Sequence, residues 1–182
     1  MFLGLAEAAA DTSNPFSKTP GIEWIHDLNA PDNLGLLSLP SRMKAFSTFL
    51  PDLLRGIEDG SIDIEDTTQV ARSAWRDVID AAEGFNDPGR FTTFVAYEYS
   101  TAADDRGNLH RNVIFRGGDR LPAVPFSRFH SQNPEGLWDW MDKLREQGID
   151  SLAIPHNSNG SNGQMFKLED WAGDPMDDEY VR

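Results

Sequence analysis

Three residues able to bind a divalent cation stand at the ends of apolar stretches: Glu98 closes one, His110 opens the next and His156 follows a third. A carboxylate and two imidazoles are donor types that zinc, manganese and iron accept. Strand ends suit such donors, because a rigid backbone fixes the side chain while the adjoining loop leaves it open to solvent. Taken singly, each residue also has an ordinary structural explanation, a strand-end carboxylate in water or a hydrogen-bonded histidine. Asn112, on the His110 face by strand alternation, and Asn157, next to His156, are candidates to orient an imidazole or to contact substrate. His26 and His130 lie in loop-like segments and are not assigned a role. The run from Asn157 to Gly163 suits either a flexible linker or a set of backbone N–H donors folded around an anion.

The elements that must position these groups are legible in outline. Residues 1–39 hold no sustained apolar period and are punctuated by Asn14-Pro15, Thr19-Pro20 and Ala30-Pro31-Asp32-Asn33, which predicts loop with short helices. A helical stripe starts at Ser41 with Met43, Phe46, Phe49 and Leu50, and Pro51 either kinks it or opens a second turn carrying Leu53, Leu54 and Ile57. A long helix starts at Asp66 or Thr67 and follows Val70, Ala74, Trp75, Val78, Ile79 and Ala82 to Gly84. Residues 91–99, aromatic and β-branched, predict a largely buried strand ending beyond Glu98. A second strand spans residues 109–116, a helix capped by Asn133 runs to Gly148, and a third strand covers residues 151–154. Strand, helix, strand alternation at this spacing predicts an α/β sheet with parallel crossovers.

Composition narrows the chemistry. The 182 residues suit one domain, and 16 Lys and Arg against 30 Asp and Glu leave a formal charge of -14. That field repels phosphate backbones and anionic lipid, so neither nucleic acid nor a membrane surface is expected as a partner. With no cysteine, disulfides, thiolate nucleophiles and Cys-based zinc sites are excluded, and any metal must rest on His, Asp or Glu. No apolar run approaches the roughly 18 residues of a spanning helix, and the opening Met1-Phe2-Leu3-Gly4-Leu5-Ala6 lacks a basic region before it, so no signal peptide is expected and the compartment stays open. Nucleophile-elbow, phosphate-loop, dinucleotide and His-Glu-x-x-His patterns do not occur. The acidic Asp170, Asp174, Asp177, Asp178 and Glu179 lack EF-hand spacing and suggest the start of a solvated helix.

Three segments in order, Phe94-Val95-Ala96-Tyr97-Glu98-Tyr99-Ser100, then Asn108-Leu109-His110-Arg111-Asn112-Val113-Ile114-Phe115-Arg116, then Ile154-Pro155-His156-Asn157 with Asn162-Gly163-Gln164-Met165-Phe166, carry a resemblance over nearly the whole chain. The chain resembles a bacterial domain-of-unknown-function family related to the PHP (polymerase and histidinol phosphatase) superfamily of metal-dependent phosphoesterases. The resemblance implies an α/β fold, a distorted (βα)7 barrel, with up to three divalent ions (Zn, Mn or Fe) at the strand ends. On that pattern Glu98 is a bridging metal carboxylate and His110 and His156 are imidazole ligands. The superfamily's opening His-x-His, its Asp-His pair and its closing ligand pair are absent, so the chain reads as an internal fragment with an incomplete barrel. It is one partial domain over residues 1–182, loop- and helix-rich over 1–60 and strand-helix-strand over 64–182. The implied activity is metal-dependent hydrolysis, of phosphoesters first, with the fragment inactive alone. The implied partners are a small-molecule substrate, phosphorylated in that reading, and the missing barrel strands. The alternatives are a non-catalytic acidic α/β binding module and a hydrolase of non-phosphate esters or amides.

Overall fold

The computed structural model describes residues 2–19, 39–103, 107–170 and 172–176, so His26 and most of the acidic terminus lie outside the described residues. The chain divides into two compact units, Met1–Arg76 and Asp77–Arg182. In the first, α1 (Phe2–Ala10) buries Leu5, Ala6, Ala8 and Ala9. A short 3-10 helix, Pro15–Lys18, follows, its first turn fixed by Asn14 accepting from the Phe16 N–H. α2 (Leu39–Glu58) keeps Pro51 inside the helix and buries Leu53 completely, while the side chains of Met43, Phe46, Phe49 and Leu50 lie outside the described set. α3 (Ile64–Phe85) crosses the border between the units. Its cap is Asp63, whose Oδ1 accepts from Glu65 N at 2.8 Å, three or four residues earlier than Asp66 or Thr67 suggests. Its inner line is Thr67, Ala71 and Trp75, whereas Val78 of the expected stripe is exposed. A Cβ on Gly4 would lie 2.4 Å from the Ala74 Cβ, so α1 approaches α3 at a distance that only glycine permits. No helix among the described residues is long and apolar enough to cross a membrane.

The second unit is built on a three-stranded sheet in the order β1 (Ala96–Tyr99), β4 (His110–Phe115), β5 (Ser151–His156). A two-stranded ribbon, β2 (Ala102–Ala103) with β3 (Gly107–Asn108), sits between β1 and β4 in sequence. β1 is half the length the sequence suggests. Asp87 and Phe91 close a turn around Gly89, and Thr93 donates through Oγ1 to the Ala82 carbonyl, so residues 91–94 are tied to the end of α3 instead of to the ladder. Phe91 and Phe94 stand exposed as a result.

Helix and strand are mixed, as expected, but the sheet corrects the expectation of parallel crossovers: both of its pairings are antiparallel. The reason is the path of residues 116–150. From the Phe115 end, the chain first runs as an irregular loop to the other end of the sheet, where Ser131 and Gln132 carbonyls accept from the Tyr99 and Thr101 hydroxyls. α4 (Pro134–Glu146) then returns to the starting end, where Arg116 N donates to Asp150 O. Two traversals bring β5 in beside the place where β4 ended, whereas a βαβ unit makes one. α4 packs on one face of the sheet, with Leu137, Met141 and Leu144 buried and Trp140 edge-on to Phe115.

Candidate metal centre

Strand register assembles the three candidate ligands. His110 is paired directly with His156 across β4 and β5, and Glu98 is paired with Asn112, one step along the same face. Paired residues project to the same side of a sheet, and a diagonal neighbour remains within reach of a long side chain. Glu98 Oε1 therefore lies 2.9 Å from His110 Nδ1 and 3.5 Å from His156 Nε2, and the three donor atoms all fall within 4.8 Å of one another. The imidazole rings stand edge-on at 5.9 Å. His156 is the last residue of β5, so that strand is two residues longer than its apolar core implies.

The surroundings hold these groups in place. Ser100 donates its hydroxyl to Glu98 Oε1 at 2.8 Å. Asn157 adopts a left-handed backbone, φ 60°, which turns the chain after β5 and brings its amide nitrogen 3.4 Å from His110 Nδ1. Glu98 requires a proton on that nitrogen and the Asn157 amide requires it bare, and the shorter contact favours the protonated form. The loop of residues 157–163 packs against β3: Ser161 is buried and bonded to the Ser158 carbonyl, and Gly107, φ +67°, lets it pass where a Cβ would meet Gly160 O at 2.6 Å. Burial holds the His110 imidazole below its ordinary pKa, against the opposing pull of Glu98.

The donor set fits a single divalent ion. Two donors bonded at about 2.0–2.1 Å to a tetrahedral cation lie about 3.3 Å apart, and the two carboxylate–imidazole distances bracket that value. His156 turns Nε2 toward Glu98, and its other ring nitrogen, Nδ1, is buried and has no hydrogen-bond partner among the described residues. A neutral imidazole is also the ligand form, which the depressed His110 pKa favours.

A family model described as "Protein of unknown function (DUF3604)" matches residues 1–182. The chain belongs to the DUF3604 family. No curated protein and no solved structure matches it. In this DUF3604 chain the structure brings Glu98, His110, His156 and Asn157 together, as their positions suggest. Asn112 is different: it lies on the same face beside Glu98, exposed, and makes no side-chain hydrogen bond among the described residues. His130 sits away from the cluster, stacked on Phe126, with its Nδ1 accepting from Ser127 N. Two neighbours escape the sequence reading. Ser100 is two residues from Glu98 and so on its face, a signal that alternation offers. Arg128 arrives from the loop before α4, and no local pattern announces it; its charge lowers the proton affinity of His110, and its Nε is buried with no partner among the described residues.

Proposed function

We propose that this chain supplies Glu98, His110 and His156 to the divalent-metal site of a PHP-like hydrolase that acts on an anionic ester, a phosphoester first. The observation that carries the reading is one carboxylate oxygen, Glu98 Oε1, between two imidazole nitrogens on neighbouring strands. A divalent cation there supplies Lewis acidity and makes water more acidic. The chain's own groups divide the remaining work. Glu98 brings the negative charge that a cation needs, and Ser100 fixes which way its carboxylate points. Burial keeps His110 neutral and ready to coordinate. With His110 Nδ1 engaged by Glu98, Asn157, placed beside that ring by its left-handed turn, is free to bind a substrate oxygen. Arg128, whose positive charge reaches His110, favours an anionic substrate despite the overall charge of -14. Three side chains suffice for one ion, and a cluster of two or three, within a (βα)7 barrel, would draw its further ligands from additional strands.

The test is hydrolysis of 4-nitrophenyl phosphate by the protein expressed from its full reading frame. Turnover that chelation abolishes, that Mn²⁺ or Zn²⁺ restores and that Glu98→Gln eliminates is the expected result. Turnover indifferent to chelation or to Glu98→Gln contradicts the proposal. Hydrolysis of carboxylic esters alone, with the same sensitivities, moves the substrate class and keeps the site.

A further inference from the structure

The other face of the same sheet holds a chemically different site. Arg111 lies between His110 and Asn112 and so projects to the opposite side, toward α4. There it lines a cavity of about 320 Å³ bounded by β4 and β5, the start of α4 and the segment from Gln164 to Asp170. Arg111 is only 7% exposed. Its Nη1 donates to the Leu109 carbonyl at 3.0 Å, and its guanidinium lies 5.5 Å from the Trp138 ring. Among the described residues no carboxylate pairs with it. Buried arginines are ordinarily paired, since a guanidinium carries five donors and a full charge that burial penalises. Here the charge is withdrawn from water, flanked by an aromatic face and left facing a cavity.

The walls define what would answer it. Trp138, Met165, Pro155 and Ala153 make the interior largely apolar, and Phe166 and Leu168, 69% and 66% exposed, stand at the mouth. Two large apolar side chains in water beside an apolar cavity mark a place for an apolar ligand body. The rim charges limit the head group. Lys167 is taken up by Glu169 at 2.6 Å, Asp170 accepts from Asp174 N, and Glu135 accepts from the Asn133 amide. One cation that no described carboxylate pairs, inside an acidic rim, selects a single negative charge over a dianion such as phosphate, and a guanidinium fits a carboxylate with two parallel hydrogen bonds.

We infer that this cavity binds a small organic monocarboxylate, its carboxylate on Arg111 and its apolar body against Trp138, Met165 and Phe166. The site is separate from the proposed metal centre and does not rest on it. The test uses benzoate, 3-phenylpropionate and hexanoate, each beside its primary amide, titrated calorimetrically into the full 182-residue chain. At least one carboxylate binds 1:1 and about 10-fold or more tighter than its amide, the factor a hydrogen bond to a charged group supplies. Arg111→Gln removes that preference. Because Arg111 is buried and its variant can misfold, Phe166→Ser and Leu168→Ser at the exposed mouth provide the second arm: each weakens the carboxylate several-fold while circular dichroism and melting stay unchanged. The inference is overturned if no carboxylate is preferred over its amide, or if both mouth variants bind as the parent does.

Discussion

The two faces of the three-stranded sheet were given different work by the same strands. On the α4 side, Val113, Phe115 and Tyr99 are fully or almost fully buried, Tyr97 stacks on Phe115 at 6.4 Å, and the Tyr99 hydroxyl, its pKa pushed up to about 12 by burial, is satisfied by the Ser131 carbonyl. On the other side the register aligns Ala96 with Ile114 and Leu152, Glu98 with Asn112 and Ile154, and His110 with His156. Leu152 and Ile154 are about half exposed there, and the polar row that ends the face carries the candidate ligands. One face carries the packed side chains of the unit, and the other carries the three candidate ligands. Each strand serves both because alternate residues point in opposite directions, so a ligand can be changed without touching the core.

Substitutions on the packed face should have the largest effect. Phe115→Ala is expected to cost about 3–5 kcal/mol in urea unfolding, as loss of a buried aromatic with its Trp140 and Tyr97 contacts would. A loss below about 1 kcal/mol would erase the distinction between the faces. Gly107→Ala comes next, at about 1–3 kcal/mol, because both the backbone conformation and the contact with Gly160 O oppose a side chain. Its unfolding should also displace the 157–163 loop, visible as altered amide shifts at Asn157 and His156.

A smaller effect separates the histidine from the aliphatic residues on the open face. The folded pKa of His110 lies below its ordinary 6.5, so between those two values the unfolded chain binds more protons than the folded one. Stability in metal-free buffer is therefore complete above pH 6.5 and declines as the pH falls toward the folded value. Melting temperatures of the parent and His110→Gln at pH 7.5 and 5.5 should diverge, with the variant losing less on acidification; an equal loss in both would remove His110 from the account. Leu152→Ser marks the lower bound, with a change within about 0.5 kcal/mol expected at this exposed position. A loss of several kcal/mol there would mean that the open face is packed in solution.

What could be read from the sequence divides along a physical line. The strand-end placement of Glu98, His110 and His156 was legible because strand identity is local: β-branched and aromatic runs with turn residues at their ends place a side chain at a strand terminus without knowledge of its neighbours. α4 was legible for the same reason, with Asn133 and Pro134 marking its start. The sense of the strands was not, because it depends on how many times residues 116–150 traverse the sheet, and the irregular first crossing has no periodicity to betray it. Residues 91–94 misled because their composition favours a strand, while the Thr93 hydroxyl and the Gly89 turn bind them to α3. Arg128 was invisible because nothing local ties that loop to the end of β4. The match to DUF3604 over the full 182 residues places the chain in a family, and the chemistry of the site rests on the geometry of three side chains.

The central claim is that these three side chains form one cation site, and the most direct test is calorimetric titration of Zn²⁺ into the chelator-treated protein beside Glu98→Gln, His156→Ala and Leu152→Ser. The account predicts 1:1 binding by the parent and by Leu152→Ser. Each ligand variant should lose more than the roughly 10- to 100-fold that removal of an outer-sphere partner costs, with its melting temperature unchanged. Equal Zn²⁺ affinity in the parent and Glu98→Gln, or no saturable binding by the parent, would contradict it.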